Sequence, residues 1–318
     1  MRRIRGVVIA AGVLLAAGLA WAQEPLAVLT EIQSKGGKVE VKTAAEPEWQ
    51  APKPLLSLRA GDQVRASGGG RAVLVFTGGR GTQVVTQANS PFTVHAQPGQ
   101  GTTDQAKTVM ANVTTFLLGQ QREKTYQSLS VRSVRAQPPV ILAPRDSRVL
   151  PGGLSFEWSG SDRLKYRVRL LGPQGTTLWE QTDLDRKPLA YPANAPALSP
   201  GVRYTWELET REHGVQRASF DVAQSGDAAR VRDALATLTP ATAKGYPPAT
   251  LSLMRAGLLF QEALYADARR ELVTALASDP DEPTLHLLLG HVYDRTGLKG
   301  LAANEFDEAE VLTSAPKN

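Results

Sequence analysis

The sequence predicts a multidomain chain in which two all-β modules are followed by an all-α array of helical hairpins. Three observations predict it. Short strands with alternating apolar residues recur between turn residues over 27–96. A second series, rich in alternating aromatics, spans roughly 138–223. Beyond residue 249 the pattern becomes helical and repeats itself with a period of 34 residues.

The first 22 residues stand apart. Arg2, Arg3 and Arg5 precede an apolar run from Val7 to Ala20, and Ala20-Trp21-Ala22 has the small-x-small form of a cleavage site. The run is short for a membrane span, so this segment reads as a signal peptide cut before Gln23. An uncleaved anchor is the alternative, and it would be the chain's one membrane contact. The chain has no cysteine, which argues against a lipid-modified terminus, disulfides and thiolate chemistry. The expected location is therefore periplasmic or secreted, and not that of a lipoprotein. The three arginines account for three units of the formal net charge of +5, and no basic block follows them. Nucleic acid is thus not an expected partner.

Residues 23–97 are predicted to form the first β module. Lys38-Val39-Glu40-Val41, Gln63-Val64-Arg65, Ala72 to Phe76, Thr82 to Thr86 and Phe92-Thr93-Val94 each read as strands, as in a small sandwich or barrel. Between them lie Gly68-Gly69-Gly70 and Gly78-Gly79-Arg80-Gly81. Glycine-rich turns cradle phosphates when they open a helix, but β-rich runs follow both of these, so they read as hairpin turns. The ordered elements Gly37-Lys38-Val39-Glu40-Val41, Trp49, Leu58-Arg59-Ala60-Gly61-Asp62, Val64-Arg65, Ala72 to Phe76 and Ser90-Pro91-Phe92-Thr93-Val94 resemble the periplasmic domain of FecR-like proteins. The resemblance implies a periplasmic β module. It does not imply transcriptional regulation, because only the basic stretch Met1 to Arg5 stands ahead of the apolar run.

Residues 98–137 are predicted to be a linker. After the Gly-rich stretch 98–103, Ala106, Val109, Met110, Val113 and Phe116-Leu117 recur at helical spacing and predict an amphipathic helix. Its polar face lacks the Lys/Arg cluster of membrane-surface helices, so packing on the protein is expected. A strand-like run follows at 128–134, and Gln137-Pro138-Pro139 marks the next boundary.

In residues 138–223, Phe156 with Trp158, Tyr166 with Val168 and Leu170, Tyr204 with Trp206 and Leu208, and Phe220 with Val222 each place large apolar groups on one strand face. With the turn Leu198-Ser199-Pro200-Gly201 leading into Tyr204-Thr205-Trp206, this stretch resembles an immunoglobulin or fibronectin type III β-sandwich. An aromatic platform for carbohydrate is the competing reading.

Residues 224–248 are predicted to hold one helix, at 227–238, and a Pro-rich linker. In 249–318, Leu264, Ala268, Glu271 and Ala275 recur identically as Leu298, Ala302, Glu305 and Ala309, while Ala256, Leu259 and Leu272 correspond to Gly290, Tyr293 and Phe306. This pattern of small and large positions resembles the tetratricopeptide repeat, present twice. Two repeats bury little core alone, so a further packing partner is expected, with Val231, Leu235 and Leu238 the candidates. The resemblance implies that the first helix of each repeat lines a groove. That would make Leu253, Phe260, Leu287, His291 and Asp294 the partner-binding residues, unless the leucines and Phe260 are simply core.

No catalytic constellation can be assembled. His286 and His291 are five residues apart and do not share a helix face as paired metal ligands must. Asp279, Asp281 and Glu282 lack the ligand ladder and glycine of a calcium loop. The sequence therefore predicts no enzyme, cofactor or metal. The expectation is an exported scaffold or adaptor for protein–protein interactions in the bacterial cell envelope, taking a protein or peptide in the repeat groove. The alternatives are a FecR-type signal or ligand sensor and a cell-wall glycan binder.

Overall fold

The computed structural model describes residues 24–97, 104–120, 138–185 and 188–314. The leader 1–22 and the strand-like run 128–134 lie outside the described residues. The chain is β in its N-terminal part and helical in its C-terminal part.

Seven strands make up the first region: β1 (Ala27–Gln33), β2 (Gly37–Lys42), β3 (Ser57–Leu58), β4 (Gln63–Gly68), β5 (Arg71–Phe76), β6 (Thr82–Val85) and β7 (Phe92–Thr93). They form two sheets, ordered β3-β1-β5-β6 and β2-β4-β7. Alternation alone would give β1 one buried face, yet its first six residues are all buried. Ala27, Leu29 and Ile32 face Val39, Val41 and Val64 of the second sheet, whereas Val28 faces helices. A bulge explains the switch. Leu29 pairs with Leu74 and Glu31 with Val73, which leaves Thr30 as the extra residue. The bulge turns Thr30 and Glu31 together toward the helical side, as an unpaired extra residue re-aims its neighbours.

The turn glycines divide by neighbour. Gly78 and Gly79 both have positive φ (71° and 65°) in a 3-10 turn at 77–79. A Cβ on Gly78 would meet only the Arg80 side chain, at 3.6 Å, whereas one on Gly79 would lie 2.6 Å from the Lys107 carbonyl oxygen. Gly79 is thus required twice, by its dihedral and by the close approach of the next helix.

That helix is α1 (Asp104–Gln120), whose buried side is Ala106, Met110, Val113, Thr114 and Leu117. The following strands are β8 (Val140–Ala143), β9 (Ser147–Val149), β10 (Ser155–Ser159), β11 (Tyr166–Leu171), β12 (Thr177–Leu184), β13 (Leu189–Ala190), β14 (Arg203–Thr210) and β15 (Gly214–Val222). Sheets ordered β13-β10-β8 and β12-β11-β14-β15-β9 share a core of Phe156, Trp158, Tyr166, Val168, Leu170, Trp206 and Phe220. Trp206 is wholly buried, and its indole N–H donates to the Pro144 carbonyl at 2.8 Å, as burial of that group requires. The aromatics therefore fill this core, which disfavours an exposed platform.

The last five helices are α2 (Ser225–Thr237), α3 (Pro248–Gln261), α4 (Tyr265–Ser278), α5 (Pro283–Arg295) and α6 (Lys299–Thr313). α3/α4 and α5/α6 are helical hairpins whose first helices start with proline in the first turn, where no intrahelical N–H is lost. One apolar core joins both hairpins to Val231 and Leu238, to Met110, Val113 and Leu117 of α1, and to Val28 and Val75. The packing partner of the hairpins is therefore threefold: α2, α1 and the first sheet. No helix among the described residues is long and apolar enough to cross a membrane.

Candidate functional site

Positions 34 apart in the two hairpins occupy equivalent places, and their differences build the site. Ala263 and Gly297 turn the first and second hairpin, both with positive φ (57° and 77°). Thr250 and Thr284 sit in the first turns of α3 and α5. Gly257 and His291 lie midway along one face of these helices, and that face is where α1 is seated.

A Cβ on Gly257 would stand 3.1 Å from a Val113 methyl and 3.3 Å from one of Leu117, so the missing side chain lets α1 lie flush on α3. Farther along, the Phe116 and Phe260 rings tilt against each other at 5.3 Å, and Phe260 meets Tyr265 edge-on at 5.2 Å. At the equivalent place in the second hairpin, the His291 Nε2–H donates to the carbonyl of Gln120, the last residue of α1, at 3.0 Å. A donor there satisfies a carbonyl that the helix itself cannot pair.

Of the five residues expected to bind a partner, three come together. Phe260, His291 and Asp294 line an open cleft of about 720 Å³ with Phe116, Gln120 and Lys299, just beyond the end of α1. Leu253 is a correction: at 0% exposure it belongs to the core, because the first sheet and α1 cover the face that a longer array would leave open. Leu287 is half-buried and packs against the same core. Two residues not anticipated from sequence complete the cleft. The Arg295 Nε–H donates to the Tyr265 hydroxyl at 3.0 Å, which holds the guanidinium above its ordinary value, and Lys299 pairs with Asp294 at 2.5 Å.

Both ends of the hairpins are gripped by β structure. At the turn end, the carbonyl of Ala263 accepts from the Arg148 N–H at 2.7 Å and from the Ser147 hydroxyl at 3.3 Å, and that of Thr296 accepts from Arg145 Nε at 2.7 Å. The stretch from β8 to β9 thus grips both hairpin turns. At the opposite end, Glu31 accepts from the Thr250 N–H (2.8 Å) and hydroxyl (2.5 Å) and pairs with Arg71, while Thr30 meets Thr250 at 3.2 Å. Glu282 precedes α5, accepts from the Thr284 N–H at 3.1 Å, and takes the Ile32 N–H of β1 at 3.0 and 3.2 Å. Gln33 bonds Asp279 at 2.8 Å and Lys35 pairs with Asp281 at 3.3 Å, so the acidic turn is a seam with β1. Burial pushes the Glu282 carboxyl up to about 8, against the pull of those N–H donors and with a further push from Glu31. The seam had no sequence signal, because its halves are separated by about 220 to 250 residues.

No family model matches the chain, and no curated protein matches it. Among solved structures, CopC from Methylosinus trichosporium OB3b is similar at 14% identity over 28% of this chain and 96% of that chain, with a TM-score of 0.20, too low to define a shared fold.

Proposed function

We propose that the protein is an exported, non-enzymatic scaffold or adaptor of the bacterial cell envelope, built from a FecR-like module, a fibronectin III-like module and two tetratricopeptide repeats. The 34-residue equivalence of Ala263 with Gly297 and of Thr250 with Thr284 supports the repeat assignment. The basic and apolar leader supports export. One observation carries the functional reading: the repeat face is occupied along α3 by the chain's own α1 and stays open beside His291, where Phe260, Asp294, Arg295 and Lys299 meet. A partner peptide would enter there, laying apolar side chains on the aromatic wall and polar groups against Arg295 and Lys299.

The test is site-specific photo-crosslinking from position 295 in cells, followed by capture with purified protein. Arg295→Gln combined with Lys299→Gln is expected to abolish capture of the crosslinked partner with a nearly unchanged melting temperature, since both residues are exposed and such surface bonds contribute little. Arg203→Glu, on the middle module, should leave capture intact. Equal capture by all three proteins would remove the cleft from the function.

A further inference from the structure

The seam between β1 and the hairpins contains more buried negative charge than buried positive charge. Glu31 and Glu282 are 1% and 0% exposed, and Arg71 pairs with Glu31 alone. The surrounding groups are otherwise committed. On the α4–α5 turn Asp279 and Asp281 hold Gln33 and Lys35, and on α5 His286 bonds Glu305 of α6 (2.7 Å) and the Pro280 carbonyl (2.9 Å). α3 contributes the uncharged Thr250. Two like charges in a site shielded from water cannot both be stabilised by one guanidinium, and the lowest-cost remedy is to keep a proton on one of them.

The two hairpins show which carboxyl is built to keep it. In the first, the Thr250 hydroxyl is fully used by Glu31 and Thr30. In the second, the Thr284 hydroxyl is buried outside good hydrogen-bond geometry, with the Glu282 carboxyl as its near neighbour. A buried hydroxyl costs stability unless something nearby can donate to it or accept from it, and Glu282 stands in the same helical turn. A protonated Glu282 can donate to Thr284 while its carbonyl oxygen still accepts from Ile32. An ionised one could equally accept from Thr284, so charge makes the choice: Arg71 pairs with Glu31, whereas among the described residues no cation pairs with the wholly buried Glu282.

We propose that the seam is a proton-holding joint: one proton is retained on Glu282 while β1 is closed on the hairpins, and its release to solvent loosens the joint. The rise of the Glu282 carboxyl supports this. The sign follows from linkage. A carboxyl that binds its proton more tightly in the folded joint contributes stability that is complete below the ordinary carboxylate range and is lost as pH rises toward about 8. His286 titrates in the same direction: burial opposes its charge, but the bonds to Glu305 and Pro280 outweigh that and hold it above its ordinary value. It must be separated experimentally.

The experiment is hydrogen exchange of the Ile32 amide in the full chain across about pH 5 to 9, corrected for intrinsic exchange chemistry, with ¹³C titration of the glutamate carboxyls. The opening constant of the unmodified protein is expected to rise by up to about tenfold per pH unit below the Glu282 midpoint, as release of one proton requires. Glu282→Gln should flatten the profile, and His286→Gln should leave the rise in place. An unchanged slope in Glu282→Gln would overturn the proposal. So would a Glu282 carboxyl that titrates in the unmodified protein at about 4.3, which decides the matter even where the glutamine variant fails to fold.

Discussion

The two hairpins are copies of one pattern placed against different neighbours, and they differ at the positions where those neighbours touch them. At the N-terminal end, the second hairpin carries its own capping carboxylate, Glu282, while the first has Pro248 at the equivalent position and receives Glu31 from β1. Midway along the shared face, the first has Gly257 beneath α1 and the second has His291 at the end of α1. At the hairpin turn, the first keeps Ala263 in a left-handed conformation and the second uses Gly297. A repeat therefore conserves what each copy does for itself and varies what it does for the chain around it.

Glu31→Ala should produce the largest effect. It leaves Arg71 half-buried without its partner and the first-turn N–H of Thr250 unsatisfied, a loss of about 3 kcal/mol in chemical denaturation. If a borrowed cap were dispensable, the variant would unfold at the parent's denaturant midpoint. Gly257→Leu comes next. Overpacking against Val113 and Leu117 should cost about 2 kcal/mol, and fluorescence or exchange reporting on α1 should change before the distant middle sheets do. Uniform unfolding across all regions would count against α1 as the affected contact.

Smaller effects test the remaining two positions. His291→Ala removes the donor to Gln120 and the edge-on packing on Phe306, and should cost about 1 kcal/mol, with faster exchange in the last turn of α1. Ala263→Gly makes the first turn match the second. It should stabilise the chain by about 0.5 kcal/mol, because relief of left-handed strain exceeds the extra entropy of glycine in the unfolded chain. The reverse change, Gly297→Ala, should destabilise, and a thermal melt showing the same sign for both would break the equivalence of the turns.

Much of the local structure was legible because it depends on local spacing. β2, β4 to β7, β10, β11, β14 and β15 follow from alternation, whereas β1 and β12 lack it; α1 follows from Ala106, Met110, Val113 and Leu117, and the hairpins follow from the period of 34. The candidate site was only partly legible. Phe260, His291 and Asp294 do gather at one cleft, but Arg295 and Lys299 were missed, since exposed cations at helix ends look the same whether or not they line a cleft. Leu253 was assigned to a binding surface because a repeat read in isolation has an open face. The role of Glu31 had no signal, since an acidic residue in an apolar strand is indistinguishable from one on a solvated edge.

By itself, then, the sequence determined the order of β and helical regions, the periodic faces of each element and the equivalence of positions 34 apart, because backbone hydrogen bonding and side-chain periodicity act over a few residues. Only the tertiary structure decided that α1 covers the first hairpin, that a bulge at Thr30 turns Glu31 toward α3, and that Glu282 bonds β1 rather than water. Those contacts join residues about 150 to 250 positions apart. They exist because each hairpin end left polar groups that burial obliged some other part of the chain to satisfy.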